Sequence, residues 1–250
     1  MLLKKNRNRL NRISIIPFLS FFILAIVFSF SSCKDTKDTY SLYYGYEYYP
    51  VDSGHYVTYE VDSIFYSYNG QYTRDTARYQ IKETVTDTFY DNENNLCYRL
   101  ETFKRYSPND PWEIYKVWKL QRTTTALIKT EDDLRYVKLI FPAKENDEWN
   151  GNIYLPTTGI YEVFKDWLYT YSGVHQPTTV GSFSFDSTLT VNQVDDETLI
   201  EKRLRKEVYA KGVGMIYMEW EALKKQNVQM NWQDGPENGF RIRMRIIDHN

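Results

Sequence analysis

The tightest constraint on the fold is alternation with a period of two. Phe240-Arg241-Ile242-Arg243-Met244-Arg245-Ile246 alternates apolar and cationic residues without a break. Val57, Tyr59 and Val61 likewise alternate with Thr58, Glu60 and Asp62. Successive side chains of an extended strand leave opposite faces, so such a run has one face to bury and one to wet. Turn-forming residues separate the runs: Asn69-Gly70, Asp91-Asn92-Glu93-Asn94-Asn95 and Ser107-Pro108-Asn109-Asp110-Pro111. Strands are expected at 55–65, 79–90, 96–106, 112–120, 123–129, 134–141 and 215–220. Short strands joined by tight turns make an antiparallel meander rather than a βαβ fold. The content of 23 Tyr, 13 Phe and 6 Trp suits sheet faces. The expected class is mostly β, a curved antiparallel sheet or incomplete barrel with at most one or two helices.

Two segments depart from this rhythm. Ile160, Tyr161, Phe164, Trp167, Leu168 and Tyr171 are spaced for one helix over Gly159–Ser172. Asp195-Asp196 reads as a turn that caps a second helix, with Ile200, Leu204 and Val208 four apart. The same residues also fit a strand running into Tyr209-Ala210-Lys211-Gly212-Val213-Gly214, which is the preferred reading, with Gly212-Val213-Gly214 as a hairpin turn.

The N-terminal segment has a different logic. Lys4, Lys5, Arg7, Arg9 and Arg12 precede an apolar run, Ile15–Phe30, and then Ser31-Ser32-Cys33. A basic region, an apolar region and small residues are the parts of a secretory signal peptide. The run is shorter than the about 20 residues of a spanning helix, which favours cleavage over an uncleaved anchor. Ending on cysteine, the segment resembles a bacterial lipoprotein signal. That likeness implies a signal peptide over 1–32, acyl groups such as palmitate on Cys33, a lipidated tether over 33–45 and one β domain over 46–250. Two or more acyl chains hold a protein stably in a membrane. Lys34-Asp35 resembles the surface-export signal of Bacteroidota lipoproteins, and both surface and periplasmic orientations stay open.

Losing a leader with five of the 31 basic residues leaves 26 against 33 acids, a net charge of about −7. That balance argues against nucleic acid as a partner, which rewards clustered Lys and Arg. Acylated Cys33 would leave Cys97 without a disulfide partner; Cys97 reads as a small residue on a strand face. His55, His175 and His249 are scattered, with no metal-ligand spacing. No nucleophile elbow, zinc-protease helix or phosphate loop is present. Glu219 and Glu221 are same-face strand neighbours of a kind any β protein offers. No catalytic residue, metal site or cofactor is expected, and the ligand-binding residues stay unknown. Arg241, Arg243 and Arg245 form a cationic ladder, read as a solvent face opposite acidic neighbours rather than an anion site.

Three motifs carry a wider likeness: Tyr49-Pro50 with Tyr56-Val57-Thr58-Tyr59, Phe141-Pro142 with Trp149-Asn150-Gly151-Asn152, and Glu207-Val208-Tyr209-Ala210-Lys211-Gly212-Val213-Gly214-Met215-Ile216-Tyr217. Together they resemble uncharacterised Bacteroidota outer-membrane lipoproteins with an open antiparallel sheet, similar to the lipoprotein-localisation-factor fold. The first two also resemble each other, as the halves of a duplicated β unit would. These relatives have no assigned activity; the lipoprotein-like leader joined to a β scaffold without a recognisable reaction centre points instead to a non-enzymatic binding or interaction module, tethered to the outer membrane by Cys33, with an envelope protein or an apolar or glycan ligand as its partner. Its alternatives are a carrier of an apolar or lipid ligand in the concave sheet, and a glycan-binding or glycan-degrading surface protein using Trp112 or Trp118. Asp62-Ser63-Ile64, Asp75-Thr76-Ala77 and Asp186-Ser187-Thr188 resemble Bacteroidota O-glycosylation sites.

Overall fold

The computed structural model describes residues 44–156, 158–233 and 236–250. The expected signal peptide over 1–32, Cys33 and most of the expected tether lie outside them. Tyr44 already belongs to the fold, because its carbonyl accepts the Ala143 N–H at 3.3 Å.

Among the described residues, twelve antiparallel strands form one sheet. They are β1 (Tyr56–Tyr68), β2 (Tyr72–Tyr90), β3 (Leu96–Arg105), β4 (Glu113–Arg122), β5 (Ala126–Glu131) and β6 (Leu134–Ile140), then β7 (Glu148–Trp149), β8 (Tyr169–Val180), β9 (Phe183–Glu197), β10 (Glu201–Ala210), β11 (Gly214–Lys224) and β12 (Asn238–His249). Each strand pairs with its sequence neighbour, and β12 returns to pair with β1, as in Tyr59↔Ile246 and Val61↔Met244. The expected β class and incomplete barrel are therefore observed, as an up-and-down meander that is nearly closed. Its one seam lies between β6 and β7. The two aromatic-Pro steps each lead into the first strand of six consecutive strands, β1 and β7.

The seam is bridged by few bonds. The Val137 N–H donates to the Gly151 carbonyl at 2.8 Å, and the Trp149 indole N–H donates to the Val137 carbonyl at 2.8 Å. The Tyr171 hydroxyl accepts the Ile140 N–H and donates to the Ile140 carbonyl, both at 2.9 Å. Short β7 thus leaves most of the β6 edge to side chains rather than to a backbone ladder.

One end of the barrel is plugged. Residues 44–51 cross it as a 3₁₀ turn, Tyr46–Tyr48, and bury Tyr48, Tyr49 and Val51 against Leu100, Leu120, Leu127, Tyr169 and Leu189. The Gly212 N–H donates to the Glu47 carbonyl at 2.7 Å, tying the plug to the β10–β11 turn. That turn is the expected Gly212-Val213-Gly214 hairpin, and 201–210 is the preferred strand.

The helix expected over Gly159–Ser172 does not form. Gly159–Phe164 is a 3₁₀ turn and β8 begins at Tyr169. Ile160 is 82% exposed and Leu168 52%, so the helical spacing has no apolar face to bury. Tyr169 and Tyr171, two apart, both point into the core, which is strand spacing. Asp195-Asp196 is not a turn or cap either; both residues pair with β10, Asp195↔Leu204 and Asp196↔Arg203.

Two seam substitutions test this closure. Tyr171→Phe leaves the Ile140 N–H and carbonyl unpaired and should lower unfolding free energy by about 1–3 kcal/mol. A Cβ on Gly151 would stand 2.2 Å from the buried Tyr169 ring, so Gly151→Ala should destabilise by about 1–3 kcal/mol. Denaturant melts matching the unmodified protein would show that the seam contributes nothing.

Candidate ligand-binding site

Inside the barrel, above the plugged end, lies a cavity of about 280 Å³. The strand register explains its wall. Glu207 on β10 stands opposite Met218 on β11, Met218 opposite Met244 on β12, Met244 opposite Val61 on β1, and Val61 opposite Tyr79 on β2. The next row towards the other end runs Arg205–Trp220–Ile242 across β10, β11 and β12. Half-exposed Tyr115, together with Lys116 and Asp132, stands at the rim, where Lys116 donates to Asp132 at 2.8 Å. Further large apolar side chains are exposed on the loops and strand ends at this end, including Tyr68, Tyr72, Tyr106, Ile114 and Leu199.

The floor is ionic. Lys129 on β5 reaches across to Glu83 on β2 at 3.1 Å and to Glu131 on its own strand at 3.1 Å. Lys138 on β6 donates to Glu207 on β10, and the Tyr209 hydroxyl donates to the other Glu207 oxygen at 2.5 Å. Arg205 lies 3.6 Å from Glu207 and packs on the Trp220 ring at 4.3 Å. Three basic and three acidic side chains thus face one another. Isolated ions in such a place would be costly, and pairing is what makes their burial tolerable.

The titration of these groups follows. Burial alone would raise the Glu207 carboxyl, but Lys138 and Arg205 beside it outweigh burial and hold it down at about 2. Burial opposes the Lys129 charge as well, yet Glu83 and Glu131 more than compensate and raise its ammonium. For Lys138 burial, with Arg205 adding to it, wins over Glu207 and the ammonium is lowered. Burial, then the Glu207 charge, pushes the Tyr209 hydroxyl well up, so it stays a hydrogen-bond donor.

Of the candidate residues singled out by sequence, Trp118 lines this cavity and the others fall elsewhere. Cys97 is fully buried on β3, as a strand-face residue, with its thiol raised by burial. Arg241, Arg243 and Arg245 face acids, as expected: Arg241 meets Glu221 at 3.1 Å, Arg243 meets Glu219 at 2.8 Å, and Arg245 pairs with Asp62. Trp118 points into the cavity with Lys129 over its ring at 4.1 Å, and the Trp112 ring carries Arg105 at 4.2 Å. A ring face already covered by a cation is a poor platform for a sugar. His55, His175 and His249 do not converge; among the described residues no group of His, Cys, Asp and Glu is arranged to hold a metal ion. Of the three glycosylation-like sites, the Ser63 hydroxyl is buried and donates to the Ala77 carbonyl, and Ser187 is half-buried against Tyr48. Only Thr76 is exposed.

Comparison with known protein families, curated proteins and solved structures returns no match.

The ionic floor has a pH signature. In the unfolded chain the Glu207 carboxyl titrates near its ordinary 4.5, and in the fold near 2. A depressed folded value means that the stabilisation is fully present above about 4.5 and is lost as pH falls towards 2. Its size is on the order of 3 kcal/mol. Glu207→Gln should therefore lose less stability than the unmodified protein between pH 6 and pH 2.5 in thermal melts. Equal acid sensitivity would show that Glu207 is not held in this way.

Proposed function

We propose that the protein is a non-enzymatic binding module that holds a small, largely apolar ligand in the mouth of its barrel. The observation that carries this reading is a hollow whose wall is apolar and soft, Val61, Ile242, Met215, Met218 and Met244, over a floor of fixed charges. Ligand pockets are concave, mostly apolar and furnished with a few placed polar groups. Methionine adapts to ligands of varied shape. The exposed apolar side chains at the same end supply a surface along which an apolar molecule can enter. The volume of about 280 Å³ sets the scale at one short chain or a one- or two-ring compound rather than a whole phospholipid.

The leader fits this reading as an address. Acylation at Cys33, eleven residues before Tyr44, would tether the domain to a membrane through the segment that enters its plugged end, and would leave the chain from Tyr44 onward as the binding part. Location at the outer membrane, facing either side, is part of the same proposal.

A fluorescent apolar two-ring reporter such as naphthalene, of the size the cavity admits, tests it. The protein should bind one equivalent saturably, and Met218→Trp, which fills the hollow from β11, should weaken binding at least tenfold while far-ultraviolet circular dichroism stays unchanged. Absence of saturable binding, or binding indifferent to Met218→Trp, would overturn the proposal.

A further inference from the structure

Within the ionic floor the charges balance, but one cation, Arg205, is held by no hydrogen bond among the described residues. The two oxygens of Glu207 are taken by Lys138 and Tyr209. Lys129 is shared between Glu83 and Glu131. Arg205 is 7% exposed, and its only ionic contact among the described residues, 3.6 Å to Glu207, is beyond hydrogen-bond length. Among the described residues its Nε has no hydrogen-bond partner, and neither has the buried indole Nε1 of Trp118. Both side chains line the cavity. A buried guanidinium has five donors to satisfy, and leaving a buried donor unmade is more costly than the bond itself is worth.

We infer that the ligand is an amphiphile with an anionic head, a carboxylate or a group of like geometry. The head docks on Arg205 with the Trp118 N–H as a further donor, and the tail lies against Met215, Met218 and Met244. This rests on the proposed binding role of the mouth and adds the chemical class of the ligand. The unpartnered groups are donors, whereas the acids are already engaged, so the missing group is an acceptor. A planar guanidinium matches a carboxylate with two parallel hydrogen bonds, which an alcohol cannot make. The Trp220 ring on the Arg205 guanidinium holds that fork in place. With each non-hydrogen atom taking roughly the 30 Å³ of a water molecule, the cavity admits roughly nine or ten such atoms, the size of octanoate.

Calorimetric titration of the purified protein with octanoate and with 1-octanol separates head from tail. Octanoate should bind at least tenfold more tightly than 1-octanol. Arg205→Gln should abolish that preference and leave 1-octanol binding within twofold. Trp118→Phe keeps an aromatic ring and loses the N–H together with the five-membered ring; the lost ring acts on both tails alike, so octanoate should weaken at least threefold more than 1-octanol, and this difference decides the matter if Arg205→Gln does not fold. If 1-octanol binds as tightly as octanoate, or if the variants leave octanoate binding unchanged, the anionic head is wrong while the binding mouth stands. If neither compound binds but naphthalene does, the head assignment falls alone. If none of the three binds, the proposed function falls with it.

Discussion

Twelve strands in one nearly closed meander enclose more cross-section than inward side chains can fill. Eight strands are about the number whose interior side chains pack solid. Every other feature of this protein answers that excess. At one end the chain from Tyr44 to Val51 folds into the barrel and supplies tyrosines as filler. At mid-height Lys129 and Lys138 reach from one wall to the other and meet Glu83 and Glu207. Towards the open end the described side chains leave a cavity.

The ionic bridges are an unusual way to span a barrel. Long charged side chains cross the gap that leucine would leave open, and each meets an oppositely charged group on the facing wall. Desolvation makes such pairs weak contributors to net stability, while breaking one leaves a buried charge alone. They fix the distance between β5 and β2 and between β6 and β10, which suits a barrel whose β6–β7 seam has few backbone bonds. The seam and the floor are thus complementary: β6 is held laterally by Tyr171 and Trp149, and across the interior by Lys138.

Much of the architecture is legible in the chain, and the reason is local. Alternation at Val57–Val61 and Phe240–Ile246, and turns at Asn69-Gly70 and Gly212-Val213-Gly214, are short-range signals that tertiary contacts only reinforce. The strands β8 and β9 are harder to read. Leu189 and Val191 alternate correctly with Thr190 and Asn192, but the surrounding Ser and Thr weaken the apolar contrast. The apolar spacing of Ile160–Tyr171 imitates a helix because a rim loop and a strand start happen to abut. Site residues were hidden for a different reason. Glu83 between Ile81 and Val85, Lys129 after Leu127, and Arg205 and Glu207 before Tyr209 are charges on inward faces. Inward is defined only once the barrel closes, and partners more than forty residues apart carry no spacing pattern. Charges standing in the apolar register of a strand were the one available signal.

The decisive question is whether the mouth is hollow in solution. Met215, Met218 and Met244 line it, while Met230, in the loop between β11 and β12, does not. Methyl-labelled methionine spectra recorded under xenon pressure report this directly, because xenon enters dry apolar cavities. A hollow mouth predicts saturable shifts of the Met215, Met218 and Met244 methyl signals with Met230 unmoved. Uniform small shifts of all four, or none, would mean that the barrel is filled and that the binding role assigned to it is wrong.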